Sequence, residues 1–188
     1  MVNFTAQVQL FQTDTDSYKS VWSNVRELQP FRAGDAIPPG EDFMTALDLL
    51  RADHRQLAQL FEQVRQSSDY GERRELFEEI RDRLEAHSDL EEEIFYPRFS
   101  KIAEWSELMS ESIEDHRLMR DIVAELSATY DREDFNELLD ELIDTVEDHV
   151  AEEEGEVFPR LLDALGESEW RELFEEMIER REGLAAAA

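Results

Sequence analysis

The chain contains no cysteine. That excludes disulfides, thiolate catalysis, iron–sulfur clusters and cysteine-type zinc sites. Lysine is nearly absent too. Lys19 and Lys101 are the two lysines, and every other basic residue apart from the histidines is an arginine. No apolar run approaches the ~20 residues of a membrane span. The first residues, MVNFTAQVQLFQ, lack both a basic region and an apolar core, so no signal peptide is expected. Positive charge is in short supply: 48 Asp+Glu face 19 Lys+Arg, a net charge of −29. Such a surface repels phosphate backbones and anionic lipid, which argues against nucleic-acid and membrane partners. Acidity with scarce lysine reads as adaptation to high salt, although GC-rich coding gives the same arginine bias. The expectation is a soluble cytoplasmic protein.

What is present is enough for a core. The 188 residues are 41% hydrophobic, the size of one domain or one domain with an appendage. From Glu41 onward apolar residues recur at three and four. The stripes are Leu47, Leu50, His54, Leu57, Leu60, Phe61 and Val64; Leu76, Phe77, Ile80, Leu84, His87 and Ile94; Leu108, Ile113, His116, Met119, Val123 and Leu126; and Leu138, Leu142, Val146, His149, Val157 and Leu161. Each is one face of an amphipathic helix with an acidic outer surface. Breaks are expected at Ser67 to Gly71, at Pro97 to Ser100 and at Thr129 to Glu133. A short fifth helix is expected from Glu167 to about Arg181, then a frayed tail from Gly183. The fold class is therefore all-α: an antiparallel up-and-down four-helix bundle over 41–166, with 167–188 as C-terminal helix and tail. Residues 1–40 read as an N-terminal extension and linker. Val2, Phe4, Ala6, Val8 and Leu10 alternate like a strand, which could lie along the bundle or pair with another subunit.

The bundle is internally repeated. Asp53-His54-Arg55 recurs as Asp115-His116-Arg117, and HSDLEEEIFYPRF from His87 recurs as HVAEEEGEVFPRL from His149, both 62 residues on. Two helical hairpins of one design are implied. All four histidines of the chain lie on this repeat, one per helix and each on an apolar stripe. The midpoint of His54 and His87 falls at Tyr70-Gly71, and that of His116 and His149 beside Asp131, both at expected turns. The midpoint of His87 and His116 falls just past Ser100. The four imidazoles therefore converge at one level, about 25 Å from the hairpin turns. Glu91 and Glu153 follow His87 and His149 by four residues and share their faces.

Burying two unpaired carboxylates costs several kcal/mol each. Two divalent cations remove that cost, and mixed imidazole–carboxylate ligation suits Fe, Mn or Zn. The candidate metal ligands are His54, His87, Glu91, His116, His149 and Glu153. Glu92, Glu93, Glu152 and Glu154 belong to charge runs and read as solvated, with a supporting role behind a ligand as the alternative for Glu92 and Glu154. Arg55 and Arg117 read as exposed partners of nearby acids. Tyr96 reads either as core packing or as an electron donor beside the site.

At these residues the chain resembles the hemerythrin-like, HHE cation-binding domains, over roughly Asp42 to Leu162. The pattern is a first-helix His, His-x-x-x-Glu, a third-helix His, then His-x-x-x-Glu, with trailing aromatic-Pro pairs at Tyr96-Pro97 and Phe158-Pro159. The resemblance implies a four-helix bundle with a non-haem di-iron site, its irons bridged by oxo, hydroxo or water. By the same resemblance His54 and His87 hold one iron, His116 and His149 the other, and Glu91 and Glu153 bridge. The oxygen-carrying members have a further third-helix His, where this chain has Arg120. They also have a fourth-helix Asp five residues after its His, where this chain has Glu154. The resemblance therefore implies a redox or stress protein acting on O2, peroxide or nitric oxide, an oxidoreductase if it turns over. The alternative is an iron store or sensor without turnover. A small diatomic or peroxide is the expected ligand, and any electron donor or protein partner is unassigned.

Overall fold

A computed structural model describes residues 46–102 and 105–187, with side chains to residue 183. The expected N-terminal strand, and any subunit contact through it, lie outside the described residues. Five long or composite helical elements make up the rest. Helix α1 spans Ala46–Gln66 and α2 spans Tyr70–Leu90. A π-helical turn, π1 (Glu91–Phe95), runs straight into the short α3 (Tyr96–Phe99). Helix α4 spans Ser106–Ala128 and α5 spans Arg132–Glu152, again followed by a π turn, π2 (Glu153–Val157), and a short α6 (Phe158–Leu161). Helix α7 spans Glu167–Ala187. Helices α1 and α2 pack as one hairpin and α4 and α5 as the other. No helix among the described residues is long and apolar enough to cross a membrane.

The turns close as their residues demand. Asp69 caps α2 by accepting from the Glu72 amide at 2.9 Å, and Asp131, its repeat equivalent, caps α5 through the Glu133 amide at 2.8 Å. Each cap satisfies an amide that the first helical turn leaves without a partner. Arg74 donates to the Thr129 carbonyl at 2.8 Å and Arg132 to the Ser68 carbonyl at 2.9 Å, so each turn is tied to the other hairpin.

The stripes face inward with small shifts. Phe77, Met109, Ile122 and Leu139 are buried, whereas the neighbouring Leu76, Leu108, Val123 and Leu138 are half-buried at the stripe edge. The expected break between Pro97 and Ser100 falls at its far end, after Phe99, and the helix runs through the proline. Proline lacks the amide hydrogen and crowds the carbonyl four residues back. The helix meets this by widening to π1, with the Tyr96 amide donating to the Glu91 carbonyl five residues back, and continues to Phe99. Pro159 and π2 repeat the solution. The fifth helix is also longer than expected, 21 residues, as long as α1. The alanines after Gly183 favour helix over fraying, and nothing lies within 4 Å of a Cβ placed at Gly183. Trp170, Leu173, Phe174 and Met177 of α7 are buried in one cluster with Leu49, Leu90 and Phe95. Burial of each such side chain contributes about 1.5–3 kcal/mol.

Candidate metal centre

The two π turns begin at the two carboxylates that the repeat singles out. Glu91 and Glu153 keep helical register with the histidines four residues back, through their amides to the His87 and His149 carbonyls, and their side chains are 0% and 1% exposed. The four imidazoles are equally enclosed, from 1% exposed at His54 and His116 to 4% at His149. All six expected ligand residues thus meet in one buried cluster.

The imidazoles form two pairs. His54 Nε2 and His87 Nε2 are 3.2 Å apart, and so are His116 Nε2 and His149 Nε2. The carboxylates lie between the pairs. Glu91 Oε2 is 3.2 Å from both His87 Nε2 and His116 Nε2. Glu153 Oε2 is 3.3 Å from His54 Nε2 and 3.6 Å from His149 Nε2. One oxygen of each carboxylate therefore faces one imidazole of each pair. Potential ligand atoms of His54, His87, Glu91 and Glu153 lie within 4.8 Å of one another, as do those of Glu91, His116 and His149. Glu153 is shared less evenly than Glu91.

Every Nδ1 faces a carboxylate on the far side of its ring. His54 Nδ1 is 2.8 Å from Glu154 Oε1 and His116 Nδ1 is 2.9 Å from Glu92 Oε1. His149 Nδ1 is 3.4 Å from Asp115 Oδ2. His87 Nδ1 faces Asp53 Oδ2 at 3.6 Å, beyond hydrogen-bond reach. A carboxylate behind Nδ1 keeps the proton there and turns the Nε2 lone pair inward. Glu92 and Glu154 thus take the supporting place that was the alternative reading for them. Asp53 and Asp115 were missed in that role, although they lie in the repeated Asp-His-Arg triplets.

Tyr96 lies inside the cluster. Its hydroxyl is 2.9 Å from Glu153 Oε1 and 3.1 Å from Glu91 Oε2, with its ring stacked 5.7 Å from that of His116. Phe158, 62 residues on, stacks on His54 at 5.9 Å without a hydroxyl. Burial and then the two carboxylates push the Tyr96 phenol well above its usual range, so it stays protonated and donates. Arg120 points outward, with its side chain 49% exposed and paired to Glu92 at 2.8 Å. Arg117 pairs with Glu114 on the surface.

The cluster asks for positive charge at its centre. Burial opposes charge on the His54 ring, but the carboxylates of Glu153 and Glu154 facing it outweigh burial and push its pKa up to about 10. Burial likewise opposes charge on Glu153, yet the surrounding histidines hold its carboxyl well below the usual range. Buried Glu91 Oε1 and Glu153 Oε2 have no hydrogen-bond partner. Orphaned buried carboxylate oxygens are costly. The donors fit a pair of cations. Nitrogens 3.2 Å apart subtend about 100° at an ion bound through ~2.1 Å bonds, an angle of adjacent ligands on one metal.

Known proteins are similar to this chain. The chain is 32% identical over 154 residues to a protein described as a DNA nickase from Nostoc sp., an alignment covering 78% of this chain and 43% of that one. It is 28% identical over 125 residues to an uncharacterized hemerythrin-like protein from Schizosaccharomyces pombe, covering 65% of this chain and 62% of that one. The chain thus spans less than two thirds of the length of either relative. The crystal structure of a hemerythrin HHE cation binding domain-containing protein from Mycobacterium kansasii superposes with a TM-score of 0.67 at 23% identity, covering 77% of this chain and 90% of that one. The family model for the hemerythrin HHE cation binding domain matches residues 45–161, which contain both hairpins and all six buried donors, and the chain belongs to that family.

Proposed function

We propose that this is a non-haem di-iron protein whose metal centre reacts with O2, peroxide or nitric oxide, and that it does not carry oxygen reversibly. The observation that supports it most is the pairing: two imidazole pairs, each with Nε2 atoms 3.2 Å apart, with one oxygen of Glu91 and one of Glu153 between them. In this reading His54 and His87 would hold one ion and His116 and His149 the other, with Glu91 and Glu153 as carboxylates shared between the pairs. Iron bound there would supply the redox chemistry; manganese or zinc suits the same donors.

The chain's own residues supply the rest. Glu154, Glu92, Asp115 and Asp53 orient the imidazoles from behind. Tyr96 donates its proton to Glu153 Oε1 at 2.9 Å and so leaves Glu153 Oε2 to face the imidazoles. The aromatic rings of Phe158, Phe95 and Tyr96 exclude water on one side. Arg120 stands where an oxygen carrier has its additional histidine, and it is engaged with Glu92 on the outside. Six protein donors shared between two ions leave each below six-coordinate, open to a small ligand. The nickase relative raises DNA as a substrate, but a net charge of −29 repels a phosphate backbone, and no nucleic-acid partner is proposed.

The test is elemental analysis of protein expressed with ample iron, with optical spectra before and after peroxide and nitric oxide. Two irons per chain and a spectral change with either reagent are expected. One metal or none overturns the di-iron centre. Two irons with spectra indifferent to both reagents overturns the reactivity and favours a store or sensor.

A further inference from the structure

The two repeats build one kind of site but are covered differently. On the first repeat, Leu49, Leu90 and Ile94 join the apolar cluster that α7 completes with Trp170, Leu173, Phe174 and Met177. The residues 62 further on are Glu111, Glu152 and Glu156, all exposed. Helix α7 therefore packs on one of two equivalent faces, the one whose side chains suit it. The outer carboxylates diverge in the same way. Asp53, behind His87, has a side chain 17% exposed; Asp115, behind His149, is 40% exposed.

The difference at Asp53 comes from α7. Arg181 donates to Asp53 Oδ2, the same oxygen that faces His87 Nδ1 at 3.6 Å. Among the described residues no arginine reaches Asp115. Burial opposes charge on Asp53, but His87, Arg181 and His54 together hold its carboxyl below the usual range. His87 Nδ1 is buried and has no hydrogen-bond partner, and Asp53 Oδ2 is the carboxylate oxygen that faces it.

We propose that Arg181 is a positioning residue of the metal centre: it holds Asp53 behind His87 and thereby couples docking of α7 to occupancy of the His54–His87 half of the site. The proposal rests on the reading of the cluster as a metal centre. The coupling is reciprocal, since whatever α7 docking adds to metal affinity, metal adds to α7 docking. It is also one-sided, because α7 has no counterpart on the second repeat's equivalent face among the described residues.

The test is anaerobic titration of the full chain with Fe(II) against a competing chelator, resolving the two ions. Loss of a carboxylate behind a ligating histidine costs 10–100-fold in metal affinity. Arg181 acts one step further out, so Arg181→Ala should weaken one ion by about tenfold, the low end of that range, and the other less than twofold. Arg181→Lys, which keeps a cation at Asp53, should recover most of the loss. The double variant with Asp53→Ala should lose no more than Asp53→Ala alone. Glu176→Gln cuts a different α7 tether, its ion pair with Arg98, and should leave both affinities near wild type. Fe(II) should slow amide exchange in α7 of the wild type and not of Arg181→Ala. Wild-type affinity for both ions in Arg181→Ala overturns the proposal. So does an equal loss in Glu176→Gln, which would show that α7 acts by packing alone. If the wild type binds no Fe(II), the metal-centre reading itself falls, and this coupling with it.

Discussion

Consider the removal of Glu154. Its Oε1 sits 2.8 Å from His54 Nδ1, the shortest of the four contacts behind the imidazoles. The carboxylate fixes the His54 tautomer, so that Nε2 offers its lone pair to the centre, and it makes the ring a stronger donor. Glu154→Leu removes both effects and leaves a buried N–H without a partner, which costs about 1–3 kcal/mol. Losses of this kind run to 10–100-fold in affinity, or about 1.4–2.7 kcal/mol. The Glu154 side chain is 21% exposed, so water can replace part of the contact. The expected loss is therefore nearer tenfold than a hundredfold. Glu154→Gln keeps an oxygen that accepts from Nδ1 and loses the charge, so it should recover most of the affinity. Asp115→Leu should cost less, because the contact it removes is 3.4 Å long. The assay is competitive Fe(II) titration under anaerobic conditions, with circular dichroism to establish that each variant is folded. Folded Glu154→Leu within twofold of wild type would refute the reasoning. A larger loss for Asp115→Leu than for Glu154→Leu would refute the argument from distance.

Glu91→Ala or Glu153→Ala should disturb both irons, since one oxygen of each carboxylate faces both imidazole pairs; Mössbauer spectra showing one iron lost and the other unchanged would rule out a bridge. Reduced protein exposed to O2 and then degassed should remain oxidised, because Arg120 is engaged outside with Glu92; recovery of the reduced spectrum over repeated cycles would contradict this. Arg120→His should slow that autoxidation if ligand count is its cause. Stability should rise with salt, because screening weakens the mutual repulsion behind a net charge of −29; a melting temperature that is flat or falling between low salt and molar potassium chloride would count against it.

The inner part of the centre is legible in the sequence because helical geometry and duplication constrain it twice. Histidines equidistant from a turn must lie level, and Glu four residues after His must share its face. The parts that were not legible arise where neighbouring helices meet. Spacing along π1 and π2 gives no indication that Glu92 will reach His116 on α4, or Glu154 reach back to His54 on α1. The pairing is crosswise, each repeat supplying the carboxylate behind the other's first histidine. A sequence signal did exist for the π turns: Pro97 and Pro159, six residues after the inward Glu, lack the amide hydrogen and crowd the carbonyl four residues back, and the helix widens just before each.

Duplication also explains what the repeat alone conceals. It preserves the donors, since a change at any one would disturb the shared centre, and it leaves their surroundings free to diverge. Tyr96 against Phe158 adds a single hydroxyl, which meets the two carboxylates differently: it lies 2.9 Å from Glu153 Oε1, the oxygen turned away from the imidazoles, and 3.1 Å from Glu91 Oε2, the oxygen that faces them. Leu49, Leu90 and Ile94 against Glu111, Glu152 and Glu156 put a helix over one face and carboxylates on the other. A centre built from two copies of one hairpin thus has two inequivalent halves. The inequivalence comes from substitutions outside the six donors, and under the proposed di-iron reading the two metal positions are to be distinguished there.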